Sequence, residues 1–356
     1  PIIGVWSDRL RTRWGRRRPF DLIATPVWFV GLLILPFAES FWLTNVAMLM
    51  IGVAGAANVV ITFLYNDVIP GELMGRFYAA IRFIGFGGAV LFQFLLFPMF
   101  DANPVFVLLT FSLVAFVGEM TMMLLVREGK YPEPPPRKPL LAGAKSYLKD
   151  GLGSKYICLL WLTLGVVALG APAGNFFTLF FKNDLAMTSR DIGFMMGLGS
   201  AVAMVVILPA GWVVDKFGPN RTWGIMAFLV GLLQVMMYFF ALDKISCTII
   251  YLCYYGVNMV LAAALMPMLF SHLPKEKFGQ LASFQSLLMQ GVMFSSSMVL
   301  GAILSALGDA YRFVFLYAGV FYLFTPVFLV LMTRGKNPFA HMEFSMKATH
   351  GVKKEK

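Results

Sequence analysis

Gly4-Val-Trp-Ser-Asp8-Arg9-Leu-Arg11-Thr-Arg13-Trp-Gly15-Arg16-Arg17-Arg18-Pro19-Phe20 decides the fold of this chain. Six arginines fall within ten positions, and then Leu22 to Ala38 runs without one charge. Guanidinium groups at this density do not enter hydrocarbon, whereas a charge-free run of that length does. The stretch is therefore a loop pressed against the start of a membrane helix. A shorter copy returns two hundred residues later, again at the end of an apolar run, as Gly211-Trp-Val-Val-Asp215-Lys216-Phe-Gly218-Pro-Asn-Arg221. The chain is built on a repeat.

Composition supports the membrane reading. Of 356 residues 59% are hydrophobic and 13% charged, and the charges collect between apolar runs, which excludes a water-soluble globular domain. The net charge of +11 is spread over alternate short loops and offers no contiguous basic face for nucleic acid. Cys158, Cys247 and Cys253 lie in apolar runs without metal-like spacing and read as small buried residues. His272, His341 and His350 read as members of polar loops, and no catalytic motif or metal-ligand cluster emerges, so the chain is not read as an enzyme and no cofactor is expected.

Charge-free runs predict ten spans, at about 22–38, 40–66, 77–100, 103–126, 156–181, 192–214, 222–242, 245–271, 281–308 and 313–333. Each reaches or approaches the roughly 20 residues that carry a helix across hydrocarbon. Uniform apolarity favours helices over barrel strands, which alternate. Of the 29 basic residues, 24 fall in loops on one side, 4 on the other, and Arg82 lies inside a span. Positive charge stays on the cytoplasmic side, which places the arginine loop, the linker and the C-terminus there.

The same spacing divides the chain. Residues 1–126 form a first half-bundle of four spans, and 127–155 a cytoplasmic linker rich in proline from Pro132 to Pro139. Leu141, Ala144, Leu148 and Leu152 follow at amphipathic-helix spacing. Residues 156–333 form a six-helix half and 334–356 a basic tail. Gly15 to Gly75 spans 60 residues and Gly218 to Gly279 spans 61, and Pro70 and Pro274 introduce matching loops. Duplicated halves of this kind build many transporters. Because two spans precede the loop at Asp215 and none precedes that at Asp8, the repeat predicts a bundle of twelve helices in which two further ones come before the loop at Asp8.

The paired loops resemble those between the second and third helices of each half of major facilitator superfamily transporters, whose pattern is Gly-x-x-x-Asp-Arg/Lys followed by Gly-Arg-Arg/Lys. The long first version with its closing Arg-Arg-Arg-Pro-Phe resembles the glycoside-pentoside-hexuronide:cation symporter branch, including melibiose permeases and plant sucrose symporters. The resemblance implies an all-α membrane bundle of two pseudo-symmetric halves. It also implies secondary transport of a sugar or similar small polar solute coupled to H⁺ or Na⁺. A carrier of lipid-like amphiphiles or drugs, and a membrane sensor without transport, remain open. Two departures bear on the branch. Where sucrose symporters carry an arginine five residues before the aspartate ending the fourth helix, this chain has Thr62 before Asp67, and the segment holding the melibiose permeases' cation carboxylates is missing.

Polar groups inside spans mark candidate pathways. Arg82 sits about two turns into its helix, to pair with solute or a carboxylate, or to reach headgroups ~12 Å away. Glu119 reads as a helix-pairing or snorkelling residue. Resemblance places Asn58 and Thr62, Asn175, and Tyr254, Tyr255 and Asn258 on cavity-lining helices. Asn175 follows Gly170, Pro172 and Gly174, which break a helix and free carbonyls. Interhelical bonding is the alternative role for each of these polar groups. Gln285 and Gln290 carry the same argument more weakly. The expected solute site is Asn58, Thr62, Arg82, Asn175, Tyr254 and Asn258, at a cavity where the halves meet. The expected gate is Asp8, Arg9, Gly15, Arg16, Arg17, Asp215, Lys216 and Gly218, with each aspartate capping a helix of the other half and the basic residues adding ion pairs.

Overall fold

The computed structural model describes residues 10, 12–70, 73–128, 151–273 and 278–334, and every statement below concerns these. The chain divides into two compact units, Pro1–Arg137 and Lys138–Lys356.

In the first unit α1 spans Arg18–Ile34, α2 Phe41–Val68, α3 Met74–Leu91 and α4 Pro104–Leu125. The sequence places the first span from residue 22, whereas α1 begins four residues earlier, inside the arginine run. Pro19 explains part of this, since in a first turn its missing N–H is no loss. The rest is supplied by Glu128, whose carboxylate takes the N–H groups of Arg16, Arg17 and Arg18. Ser40 caps α2 by accepting from the Leu43 N–H, and Asn103 caps α4 by accepting from Phe106, just ahead of Pro104. α3 continues through a π turn, Phe92–Leu96, and a 3₁₀ turn, Phe97–Met99. α1 packs against both α2 and α4. It approaches α2 closely at Gly31, where an added Cβ would stand 3.0 Å from the Ala47 carbonyl.

In the second unit α5 (Lys155–Gly170) passes through a 3₁₀ segment, Ala171–Phe176, into α6 (Phe177–Asn183). Then follow α7 (Ser189–Phe217), α8 (Pro219–Phe240), α9 (Lys244–His272), α10 (Phe278–Ala306) and α11 (Phe313–Arg334). The span expected at 156–181 is thus a broken helix, with the break where Gly170, Pro172 and Gly174 stand. α7 opens with a reciprocal capping box between Thr188 and Asp191, and Asp243 caps α9. α8 lies between α9 and α11, α9 also packs on α7, and α5 packs on α11 and α10. The α8–α11 crossing is close because both sides are glycine. A Cβ on Gly231 would meet the Leu323 nitrogen at 2.7 Å, and one on Gly319 the Val235 Cγ2 at 2.7 Å. In lipid, where apolar burial drives no association, such small-residue contacts let helices gain dispersion energy.

Nine helical segments among the described residues are long and apolar enough to cross a membrane, and Phe41–Ala57 adds the apolar part of α2. The protein is an all-α, multi-pass membrane protein. Exposed Phe83, Ile84, Leu91, Val205, Leu208, Phe294 and Phe324 are the side chains such a bundle offers to lipid.

Candidate functional site

Three consecutive arginines at the head of α1 divide between two neighbours. Arg16 places its Nη2 2.8 Å from both oxygens of Asp67, in the last turn of α2. Arg17, 6% exposed, donates from Nε to the Asp67 Oδ2 at 3.1 Å. Arg18 turns the other way and donates to the Met123 and Leu124 carbonyls in the last turn of α4, where helix carbonyls lack internal donors. With Glu128 seated on the N-terminus of α1, the loop ties the ends of α1, α2 and α4 together.

Gly15 makes this approach possible. Its φ is +109°, and a Cβ there would lie 2.4 Å from the Glu128 carboxyl carbon. The residue is required both by backbone conformation and by the room the carboxylate occupies. Gly218, its counterpart in the repeat, has φ +83° and open space around it.

At the corresponding end of the second unit the chemistry is neutral. Arg17 stands two residues after Gly15, and Asn220 two after Gly218. Asp67 stands three before Pro70, and Ser271 three before Pro274. Ser271 donates to the Asn220 Oδ1 at 3.3 Å, so the second unit pairs the same two positions without charge. His272 joins them. Its Nε2 donates to the Asn220 Oδ1 at 2.8 Å, and its Nδ1 accepts from the Tyr156 hydroxyl at the start of α5. The sequence reading puts His272 in a polar loop. It is instead the buried last residue of α9, because both ring nitrogens find partners there. Asp215 and Lys216 are exposed at the end of α7, with Lys216 Nζ 4.6 Å from the Trp212 ring centroid.

The broken helix carries the second candidate site. Asn175 lies in the 3₁₀ segment and is exposed. Two residues on, Phe177 meets the Tyr254 ring edge-on at 5.9 Å, and Tyr251 and Tyr255 extend the aromatic wall along α9. The Tyr254 hydroxyl meets Gln234 of α8, whose Oε1 is buried with no hydrogen-bond partner among the described residues. Asn258, one turn further along α9, is half-buried on the same face as Tyr254. Ser296 of α10 braces the break by donating to the Leu169 carbonyl and pairing with the Tyr317 hydroxyl. No charged side chain is among these groups.

At the other end of this unit Lys244 pairs with Asp191 at 2.7 Å, and the Arg312 N–H donates to Asp184 at 3.1 Å. Desolvation raises the Asp184 carboxyl above its usual range, with the Arg312 N–H pulling it partly back.

Of the remaining expected residues, Arg82 is exposed on α3. Asn58 and Thr62 lie on α2, with side chains outside the described set, and Asp8 and Arg9 lie outside the described residues, as do Pro132 to Pro139. Sequence reasoning assigned no site role to Asp21, Asp67, Glu128, Tyr156, Asn220 and Gln234. A carboxylate just past an apolar run, as at Glu128, was the available signal for one of them.

The Major Facilitator Superfamily family model matches residues 1–297. The chain belongs to that superfamily. No curated protein matches it. Among solved structures it is similar to a bacterial homologue of the iron transporter ferroportin in the outward-facing state. That match has 17% identity and a TM-score of 0.58, over 94% of this chain and 86% of that one. It is similar also to the E. coli fucose:proton symporter, at 12% identity and TM-score 0.57 over 93% and 86% of the two chains. A bacterial homologue of the human lysosomal transporter Spinster, inward-facing and unoccupied, matches at 14% identity and TM-score 0.60 over 93% and 83%. At these identities the likeness is one of fold, and the superfamily and fold are those of transporters.

Proposed function

We propose that the protein is a secondary carrier that moves a sugar or similar small polar solute by alternating access, driven by an H⁺ or Na⁺ gradient, with the arginine loop on the cytoplasmic side. The observation that carries this reading is the neutral polar and aromatic set of the second unit: Asn175 at the α5 break, Tyr254 and Asn258 on α9, and Gln234 of α8, whose buried Oε1 has no hydrogen-bond partner among the described residues. Amide and hydroxyl groups beside aromatic faces suit a hydroxyl-rich solute, which presents both donors and an apolar ring face. The long arginine loop, resembling that of the glycoside-pentoside-hexuronide:cation symporters, supports the same solute class. The loops at Gly15–Arg17 and Asp215–Gly218 are the proposed gating elements. The first holds its helix ends through charge and the second through neutral contacts.

The test is uptake into proteoliposomes of a panel of neutral sugars, a lysophospholipid and a cationic dye under imposed H⁺ or Na⁺ gradients. The reading expects accumulation of a sugar. It also expects Asn175→Ala to raise the half-saturating concentration about tenfold, equivalent to the loss of about one net hydrogen bond. Accumulation of the amphiphiles alone would replace sugar by a lipid-like cargo, and movement of nothing would leave the sensor reading.

A further inference from the structure

Asp21 is the most unusual group in the first unit. It lies in the first turn and a half of α1, is 0% exposed, and neither carboxylate oxygen has a hydrogen-bond partner among the described residues. A helix N-terminus ordinarily supplies donors to a nearby carboxylate, but here the N–H groups of Arg16, Arg17 and Arg18 already belong to Glu128. The neighbouring cations are engaged elsewhere as well, Arg17 with Asp67 and Arg18 with the Met123 and Leu124 carbonyls.

The groups facing Asp21 add no compensation. From α4 comes Glu119, and past the end of α4 Glu128, both of like charge. From α2 comes Tyr65, whose hydroxyl donates to the Met122 sulfur at 3.7 Å. Ile61, Leu64 and Met123 form an apolar cluster against Leu22, the next residue along. An ionised carboxylate without donors in such a place carries a desolvation cost of several kcal/mol, and it is relieved by a bound cation or a proton. A metal cation needs several ligands, and no group of three His, Cys, Asp or Glu side chains able to hold one occurs among the described residues.

We propose that Asp21 is the proton-binding site that couples this carrier to the H⁺ gradient. In the packed arrangement of α1, α2 and α4 its carboxyl holds a proton. When the α1 end loosens from α2 and α4 and water reaches the side chain, the O–H bond breaks, the proton passes to water, and the carboxylate is left solvated. The Arg16–Asp67 and Glu128 contacts lie one turn away, so the same loosening that opens the arginine loop exposes Asp21. This deepens the carrier reading above and rests on it, naming H⁺ over Na⁺.

Two measurements test it. Infrared spectroscopy of the purified protein reads the carbonyl stretch of protonated carboxylic acids directly, without any solute. At neutral pH the wild type should show such a band that shifts in D₂O, and Asp21→Asn, which keeps the shape of the protonated acid, should lack it. In proteoliposomes, uptake driven by an imposed pH gradient is compared with sugar counterflow at equal pH. Asp21→Asn should raise the ratio of counterflow to gradient-driven accumulation at least about tenfold, because exchange of solute needs no net proton movement. Identical infrared spectra in the two proteins, or an unchanged ratio, would overturn the proposal. Should the wild type move no solute at all, the carrier reading is what fails, and the infrared band still decides whether Asp21 holds a proton.

Discussion

Arg17 with Asp67, and Asn220 with Ser271, occupy matching places in two copies of one repeat, yet the first pair is an ion pair and the second a hydrogen bond between neutral groups. The difference extends outward. Around the first pair stand Arg16, Arg18 and Glu128, all charged. Around the second stand His272 and Tyr156, linked through ring nitrogens. The two glycines report the same divergence, since Gly15 is pressed by a carboxylate and Gly218 faces open space. The repeat keeps these two positions in contact while the chemistry of the contact is exchanged. The polar groups of the second unit proposed to meet the solute, Asn175, Tyr254 and Asn258, are neutral too, while its Lys244–Asp191 ion pair stands at the other end.

The sharpest way to break this comparison is at the glycines. Gly15→Ala forces a side chain into a positive-φ position and into the Glu128 carboxylate, and should cost about 4 kcal/mol, seen as a large loss of thermal stability in detergent. Gly218→Ala meets the backbone penalty alone, about 2 kcal/mol, since φ +83° with ψ +142° lies near the region that glycine alone adopts freely. Equal losses would mean that Glu128 yields freely and that its seat on α1 is weak.

Next come the matched pairs. Asp67→Asn removes the carboxylate that both Arg16 and the buried Arg17 meet, for a loss of about 3 kcal/mol by the same measurement, whereas Ser271→Ala should cost no more than about 1 kcal/mol. Importing the charged pair as Asn220→Arg with Ser271→Asp sharpens the point. It should be tolerated worse than Ser271→Ala, because His272 and Tyr156 offer no second carboxylate. An effect as small as that of Ser271→Ala, about 1 kcal/mol, is expected of Tyr156→Phe, which removes the hydroxyl bonded to His272.

Much of the fold was legible because lipid imposes a blunt rule: each crossing segment shuns charge and satisfies its own backbone. That rule located the helices and exposed the repeat. It could not see that α1 starts at Arg18, since that depends on Glu128, 110 residues away in sequence, covering the helix end. The break at Ala171–Phe176 was legible from Gly170, Pro172 and Gly174, because backbone chemistry is local. Asp21 and His272 were not. One was absorbed into a charged loop and the other into a polar one, whereas burial and partners, which only packing decides, made them distinctive.

Equilibrium binding by the purified protein tests the division between the units most directly. With the sugar identified by uptake as ligand, Asn175→Ala should weaken affinity about tenfold, while Asp67→Asn, studied at a temperature where it remains folded, should bind within about twofold of wild type. The reverse pattern, with affinity lost at Asp67 and kept at Asn175, would contradict the account.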